Sequence, residues 1–172
     1  MITSKKDLKY YLLQDKIALK IERRHPRFIG DEVWKFQIAL RKVEYYINCR
    51  NSFLFKPLVA YFKFKKYILM LLLGFSIPNN VFGPGLSISH PGTIIVNSRA
   101  KIGKNCRINN CVVIGSAPII GDNCYIGPGA KIFGNIYIAN NTRIGANAVI
   151  NKTIVNDGVT VVGSRFHVVN KK

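Results

Sequence analysis

The chain has 172 residues, enough for one domain with an appendage, and carries a formal charge of +18 at pH 7. The charge is spread out, with 16 Lys/Arg against 6 Asp/Glu in residues 1–75 and 10 against 2 in residues 76–172. No zinc-ligand spacing, RNA-binding aromatic signature or helix-turn-helix pattern accompanies it. The composition therefore argues against nucleic acid and in favour of an anionic lipid, an anionic glycan or a phosphorylated co-substrate.

From the N-terminus, residues 3–22 place Leu8, Leu12, Ile17 and Leu19 among charges and read as a helix. The opening MITSKKDLKYYLL has no uninterrupted apolar core and no small-residue cleavage site after it. It is not read as a signal peptide, and a reducing, cytoplasmic location is expected. Arg24-His25-Pro26 breaks the first helix. Residues 31–48 read as an amphipathic helix through Val33, Trp34, Ile38, Leu40, Val43 and Tyr46. Pro57 opens a third helix that runs to Leu73, and Gly74 ends it.

That third segment, PLVAYFKFKKYILMLLLGF, is apolar, aromatic and lysine-rich at once. Its apolar run from Tyr67 to Phe75 is shorter than the ~20 residues a bilayer requires. Two readings stay open. The helix packs on the rest of the protein and on neighbouring subunits, or Lys63, Lys65, Lys66 and the aromatics seat it peripherally on an anionic membrane, at the inner face. Residues 1–75 form the helical region; residues 76–172 form a β domain, entered through SIPNNVFGPGLSIS.

In the β domain, aliphatic residues recur every six positions at Val96, Ile102, Ile108, Ile114, Ile120, Ile126, Ile132, Ile138, Ile144 and Ile150. Neither an α-helix nor a flat strand has that period, but a parallel β-helix does. The positions just after the aliphatic ones are mostly Gly or Asn, as expected for corners with positive φ. Regularity fades after Val155, and residues 159–169 are expected to close the coil. One unit before Val96 the aliphatic position falls on His90. A histidine beside Pro91 and Gly92 at the coil's edge is either a surface residue without chemistry or a general base toward a hydroxyl. Cys49, Cys106, Cys111 and Cys124 form no CxxC pair, so buried thiols are expected and no metal.

HPGTIIVNSRAKIGKNCRINNCVVIGS followed by APIIGDNCYIGPGAKIFGNIYIANNTRIGANAVIN resembles the hexapeptide-repeat acyltransferases, within them the serine acetyltransferase-like branch. The resemblance implies a mainly β fold, a left-handed parallel β-helix of hexapeptide repeats with a short N-terminal α-helical region. It also implies a homotrimer or a dimer of trimers, with acetyl-CoA as co-substrate lying between adjacent coils. His90 falls on the family's base, which deprotonates the acceptor hydroxyl. Gly115 and Ser116 fall where oxyanion donors are expected. Pro128, Gly129, Ala130, Gly145, Ala146 and Ala148 fall on turns that contact the pantetheine arm, with Lys131, Arg143 and Lys152 as candidate phosphate partners.

The chain also departs from serine acetyltransferases. Phe75 stands where they carry an aspartate that orients the histidine, and no acid occurs between Glu44 and Asp122. Gly115-Ser116-Ala117-Pro118 lacks their glycine-rich loop and Arg-His-Pro, and the sequence ends in Lys171-Lys172 and not in an isoleucine tail. The N-terminal helical sequence and the GFSIPNNVFGPGLSISH entry to the coil resemble members found with surface-polysaccharide enzymes. The expected reaction is therefore O-acetylation of a sugar hydroxyl on a surface or capsular glycan. Serine O-acetylation is the alternative, and a silent trimeric scaffold is a third reading.

Overall fold

The computed structural model describes residues 1–50, 53–164 and the backbone of 167–169; Lys171-Lys172 lies outside the described residues. Three helices precede the coil: α1 (Lys5–Ala18), α2 (Glu32–Cys49) and α3 (Lys56–Leu73). Ser4 caps α1 by accepting the Asp7 N–H at 3.0 Å. Pro57 sits in the first turn of α3, and Gly74 closes it with φ 74°, a left-handed conformation that glycine takes without steric cost.

The remainder is a parallel β-helix of about five turns, made of three faces. The first face stacks Phe75–Ser76, Ile94–Val96, Val112–Ile114, Lys131–Ile132 and Val149–Ile150. The second stacks Lys101–Ile102, Ile119–Ile120 and Tyr137–Ile138; the third stacks Ser87–Ile88, Arg107–Ile108, Tyr125–Ile126, Arg143–Ile144 and Thr160–Val162. His167–Val169 pairs antiparallel with the last of these and ends the third face. In the regular part of the coil a turn takes eighteen residues, as in Ile94 on Val112 and Ile126 on Ile144. All ten six-spaced aliphatics point inward and are no more than 4% exposed. Each such burial contributes about 1.5–3 kcal/mol, so the ladder is the main source of the coil's stability.

The corners differ from expectation. The left-handed residues lie three positions after the inward aliphatic, at Asn105, Asn123 and Asn141, with φ 55–58°. Their amides form a ladder, Asn105 Nδ2 donating to Asn123 Oδ1 at 3.1 Å and Asn123 Nδ2 to Asn141 Oδ1 at 3.2 Å. The glycines directly after the aliphatics serve close approach instead. A Cβ on Gly127 would lie 2.8 Å from the Ala146 nitrogen and from the Gly145 carbonyl carbon in the next turn. Gly127→Ala is therefore expected to cost about 1–3 kcal/mol through overpacking. A lowered urea midpoint with an unchanged slope would register the loss.

The helices share a core with the first turns. Phe36, Ala39 and Leu40 of α2 and Leu69 and Leu73 of α3 belong to one buried cluster with Ile77, Leu86, Ile88 and Ile94. Arg41 of α2 is fully buried and ties the parts together. It donates to Asp15 of α1 (2.8 Å), to Glu44 (3.0 Å) and to the carbonyls of Phe82 (2.9 Å) and Gly83 (2.7 Å) in the first turn. Asp15 in turn accepts the N–H groups of Gly85 and Leu86, each at 2.9 Å. Burial alone would lower the Arg41 pKa; the two carboxylates reverse this and hold it above its ordinary value.

Lys66 corrects the reading of α3. It points inward, buried, with Nζ donating to Asn79 Oδ1 at 2.7 Å, and burial depresses its pKa to about 8. It therefore does not belong to the outward lysines.

Candidate functional site

The register around His90 differs from the sequence count. Ile88 pairs with Ile108, twenty residues on, whereas Ile94 pairs with Val112, eighteen on. Ile88 fills the inward position that counting back from Val96 assigned to His90. Two extra residues widen the corner from Ser89 to Thr93, and His90 stands exposed on it. Gly92 allows this excursion. It has φ 126°, donates its N–H to the Leu73 carbonyl at the end of α3 (2.9 Å), and would place a Cβ 3.1 Å from Asn110. The histidine thus projects from a corner clamped between α3 and the next turn.

This corner, between the third and first faces, continues down the coil. Below it lie Asn110-Cys111, then Pro128-Gly129, then Ala146-Asn147. Gly129 N–H donates to the Asn110 carbonyl at 3.0 Å and Asn147 N–H to the Pro128 carbonyl at 2.8 Å. His90 therefore heads a column that contains both turns expected to contact a pantetheine arm. Within it Pro128 and Ala146 are exposed, while Ala130 and Ala148 are fully buried and act only through backbone shape. The exposed thiol of Cys111 also faces out of this column; Cys106 and Cys124 are buried in the coil as expected. Lys131 on the first face and Arg143 on the third flank the column, both exposed.

Gly115, Ser116 and Lys152 lie elsewhere, on the corner between the first and second faces. One subunit alone therefore does not bring them to His90. Gly115 N–H is committed to the Ile132 carbonyl at 2.8 Å. That leaves the N–H groups of Ser116, a residue with φ 61°, and Ala117 as the donors of this corner. Ile114 and Ile120 occupy adjacent inward positions, so no loop is inserted between them.

Phe75 is buried, packed edge-on against Phe36 with ring centroids 5.1 Å apart, so the position of the missing aspartate is part of the core. Residues that the sequence reading did not connect with His90 approach its corner from the helical region. A cleft of ≈ 320 Å³ is lined by Leu19, Ile21, Asp31, Trp34, Ser89 and Pro91 among others. Asp31 is held ionised, its pKa lowered to about 2, chiefly by the Arg27 N–H and also by Arg23 and Arg27 side chains. Glu32 lines the same cleft and pairs with Lys35 at 3.5 Å. The acid pair at the start of α2 was the only sequence signal for this cleft.

Residues 117–152 match the family model for the bacterial transferase hexapeptide (six repeats). Over that stretch the chain is similar to the hexapeptide transferases, and its fold is that of the serine acetyltransferases. Among solved structures, the hexapeptide-repeat chain is similar to a serine acetyltransferase in complex with CoA, at 21% identity and TM-score 0.73, covering 96% of this chain and 70% of that one. The soybean serine acetyltransferase apoenzyme is 25% identical, TM-score 0.69, with 95% and 69% covered. The Neisseria gonorrhoeae serine acetyltransferase in complex with serine is 23% identical, TM-score 0.67, with 97% and 71% covered. No curated protein sequence matches. Among the described residues no group of His, Cys, Asp or Glu could hold a metal ion, and no helix is long and apolar enough to cross a membrane.

Proposed function

We propose that this hexapeptide-repeat transferase moves an acetyl group from acetyl-CoA to a sugar hydroxyl of a surface or capsular glycan, with His90 as general base. The observation that carries the reading is the position of His90 at the head of the Pro128–Ala130 and Gly145–Ala148 column. The imidazole takes the hydroxyl proton, and the alkoxide oxygen attacks the thioester carbonyl. The tetrahedral oxyanion collapses with cleavage of the C–S bond, and CoA thiolate leaves with the proton from the imidazolium. A homotrimer, or a dimer of trimers, supplies the second corner: the Ser116 N–H of a neighbouring subunit would reach the oxyanion that its own His90 cannot share. Pro128, Gly129 and Ala146 would line the pantetheine arm, with Lys131 and Arg143 nearer than Lys152 to its phosphates.

A glycan acceptor is favoured over L-serine by the uninterrupted Gly115–Pro118 corner and by the buried Phe75. The test is thiol release from acetyl-CoA with L-serine, simple sugars and capsule-type oligosaccharides. Turnover of an oligosaccharide well above that of serine is expected. Efficient turnover of L-serine would replace the glycan reading, and no release with any acceptor together with no CoA binding would leave a trimeric scaffold.

The outer face of α3 supports a seat at the cytoplasmic side of an anionic membrane. With 3.6 residues per turn, Ala60, Phe64, Tyr67 and Leu71 run down the middle of that face, all exposed. Lys56 and Lys63 flank one edge and Lys65 the other, and α3 contains no acid to oppose them. Flotation with phosphatidylcholine vesicles containing phosphatidylglycerol is the measurement. Wild type is expected to float, and Lys56→Glu/Lys63→Glu/Lys65→Glu to stay at the bottom. Equal flotation of both, or dissociation of the oligomer by the triple variant, would reassign this face.

A further inference from the structure

Beside the His90 corner the third face and the end of α1 enclose two adjoining clefts that the transfer chemistry does not use. The first, ≈ 230 Å³, is lined by Ala18, Leu19, Lys20, Ser87, Ser89 and Arg107 among others. The second, ≈ 400 Å³, adds Gln14, Gly85 and Asn105 and shares Ser87 and Arg107. Together they form a groove that ends at Ser89, the residue before His90.

The charged lining of this groove is Lys20 and Arg107, with no carboxylate. Arg107 is oriented by its own Nε, which donates to Ser89 Oγ at 2.8 Å. That bond fixes the plane of the guanidinium beside the corner and leaves its two terminal nitrogens for an incoming oxyanion. Lys20 projects from the turn that ends α1, where φ is 56° and its N–H is tied to the Ile17 carbonyl at 2.9 Å. Glu22, two residues after Lys20, is exposed and lines neither cleft, and the other acids of the helical region near this corner are engaged elsewhere. Asp15 is buried against Arg41, Asp31 is paired with Arg23 and Arg27, and Glu32 with Lys35. The lining of the groove therefore carries only positive charge, with hydroxyl and amide groups from Ser87, Ser89, Gln14 and Asn105 around it. Such a lining suits a polyhydroxylated ligand that carries an anion.

We infer that the acceptor is an anionic glycan, whose carboxylate or phosphate binds Lys20 and Arg107 and so brings a neighbouring hydroxyl to His90. The inference rests on the glycan-transfer reading of the same corner and narrows its substrate class.

The experiment measures CoA release with matched acceptors: a neutral oligosaccharide and its uronic-acid counterpart, and a neutral sugar and its phosphate ester. The anionic member of at least one pair is expected to have kcat/KM about ten- to a hundredfold higher, as one charge-assisted contact allows. The gap should narrow as salt is raised, and the two pairs separate a carboxylate from a phosphate. In Lys20→Gln/Arg107→Gln the gap should close through a rise in acceptor KM, with the KM for acetyl-CoA little changed. Equal kcat/KM within both pairs, or a gap that survives in the double variant, overturns the inference. If no acceptor is turned over, the transferase reading fails separately. Equilibrium titration of the uronic-acid oligosaccharide then decides the anion site: tighter binding by wild type than by the double variant keeps it, and equal binding ends it.

Discussion

Replacing His90 by alanine is expected to lower the turnover of acetyl transfer by about 10²–10⁴-fold, the usual contribution of a positioned general base. The fold should not register the change, because His90 is exposed on a widened corner and the inward position beside it belongs to Ile88, which is 1% exposed. The effect should lie in kcat with the KM for acetyl-CoA nearly constant, since the column that would hold the donor lies below the histidine. A His90→Ala protein that keeps its urea midpoint and most of its turnover would remove His90 from the mechanism. His90→Gln, which keeps a hydrogen-bonding side chain but not a base, should be as inactive as the alanine variant.

Arg41→Ala should be the most destabilising single change in the helical region, at about 3–5 kcal/mol. The reason is what remains behind: the Asp15 and Glu44 side chains, each 2% exposed, would lose their shared cation, and the Phe82 and Gly83 carbonyls would lose a donor. Arg41→Lys should recover only part of the loss, because a single ammonium group cannot span two carboxylates and two carbonyls in fork geometry. Urea denaturation at neutral pH measures both variants. The double variant Arg41→Ala/Asp15→Ala should be less destabilised than the two single effects added together. A loss below about 1 kcal/mol for Arg41→Ala would mean that the network is not what pins α1 and α2 to the first turn.

The coil was legible because its physics repeats. An inward aliphatic every sixth residue is a direct image of three faces per turn, and all ten such residues are buried. The same count explains the column below His90, since Gly127 and Gly145 are eighteen residues apart and must share a corner. Gly115 and Lys152 do not stand at such a spacing from Gly127, and the structure places them on the next corner. The count singled out His90 as the exception in the aliphatic row and misplaced it, because the repeat is interrupted before Val96 and nothing in HPGTIIV marks where the two extra residues enter. The glycines that follow five of the aliphatics were read as a conformational requirement; their cause is the absence of room for a Cβ against the next turn, a contact between residues about eighteen apart. Arg41 escaped notice because apolar periodicity treats every arginine as solvated, and only the assembled core makes it an interior residue. Lys66 misled for the converse reason, following the outward Lys63 and Lys65 in sequence while pointing to Asn79.

The eight-residue step from Ile88 to Val96 separates two jobs that many enzymes assign to the same residues. The inward ladder on either side stays in register, so the exposed His90, Pro91 and Thr93 are free to vary without a void or a clash in the interior, while Gly92 and Ile94 hold the corner in place. A change of acceptor in such a chain needs no repacking. Ancestral or engineered relatives could exchange these exposed corner residues, as antibodies exchange loops on a constant framework, while the coil keeps its melting behaviour.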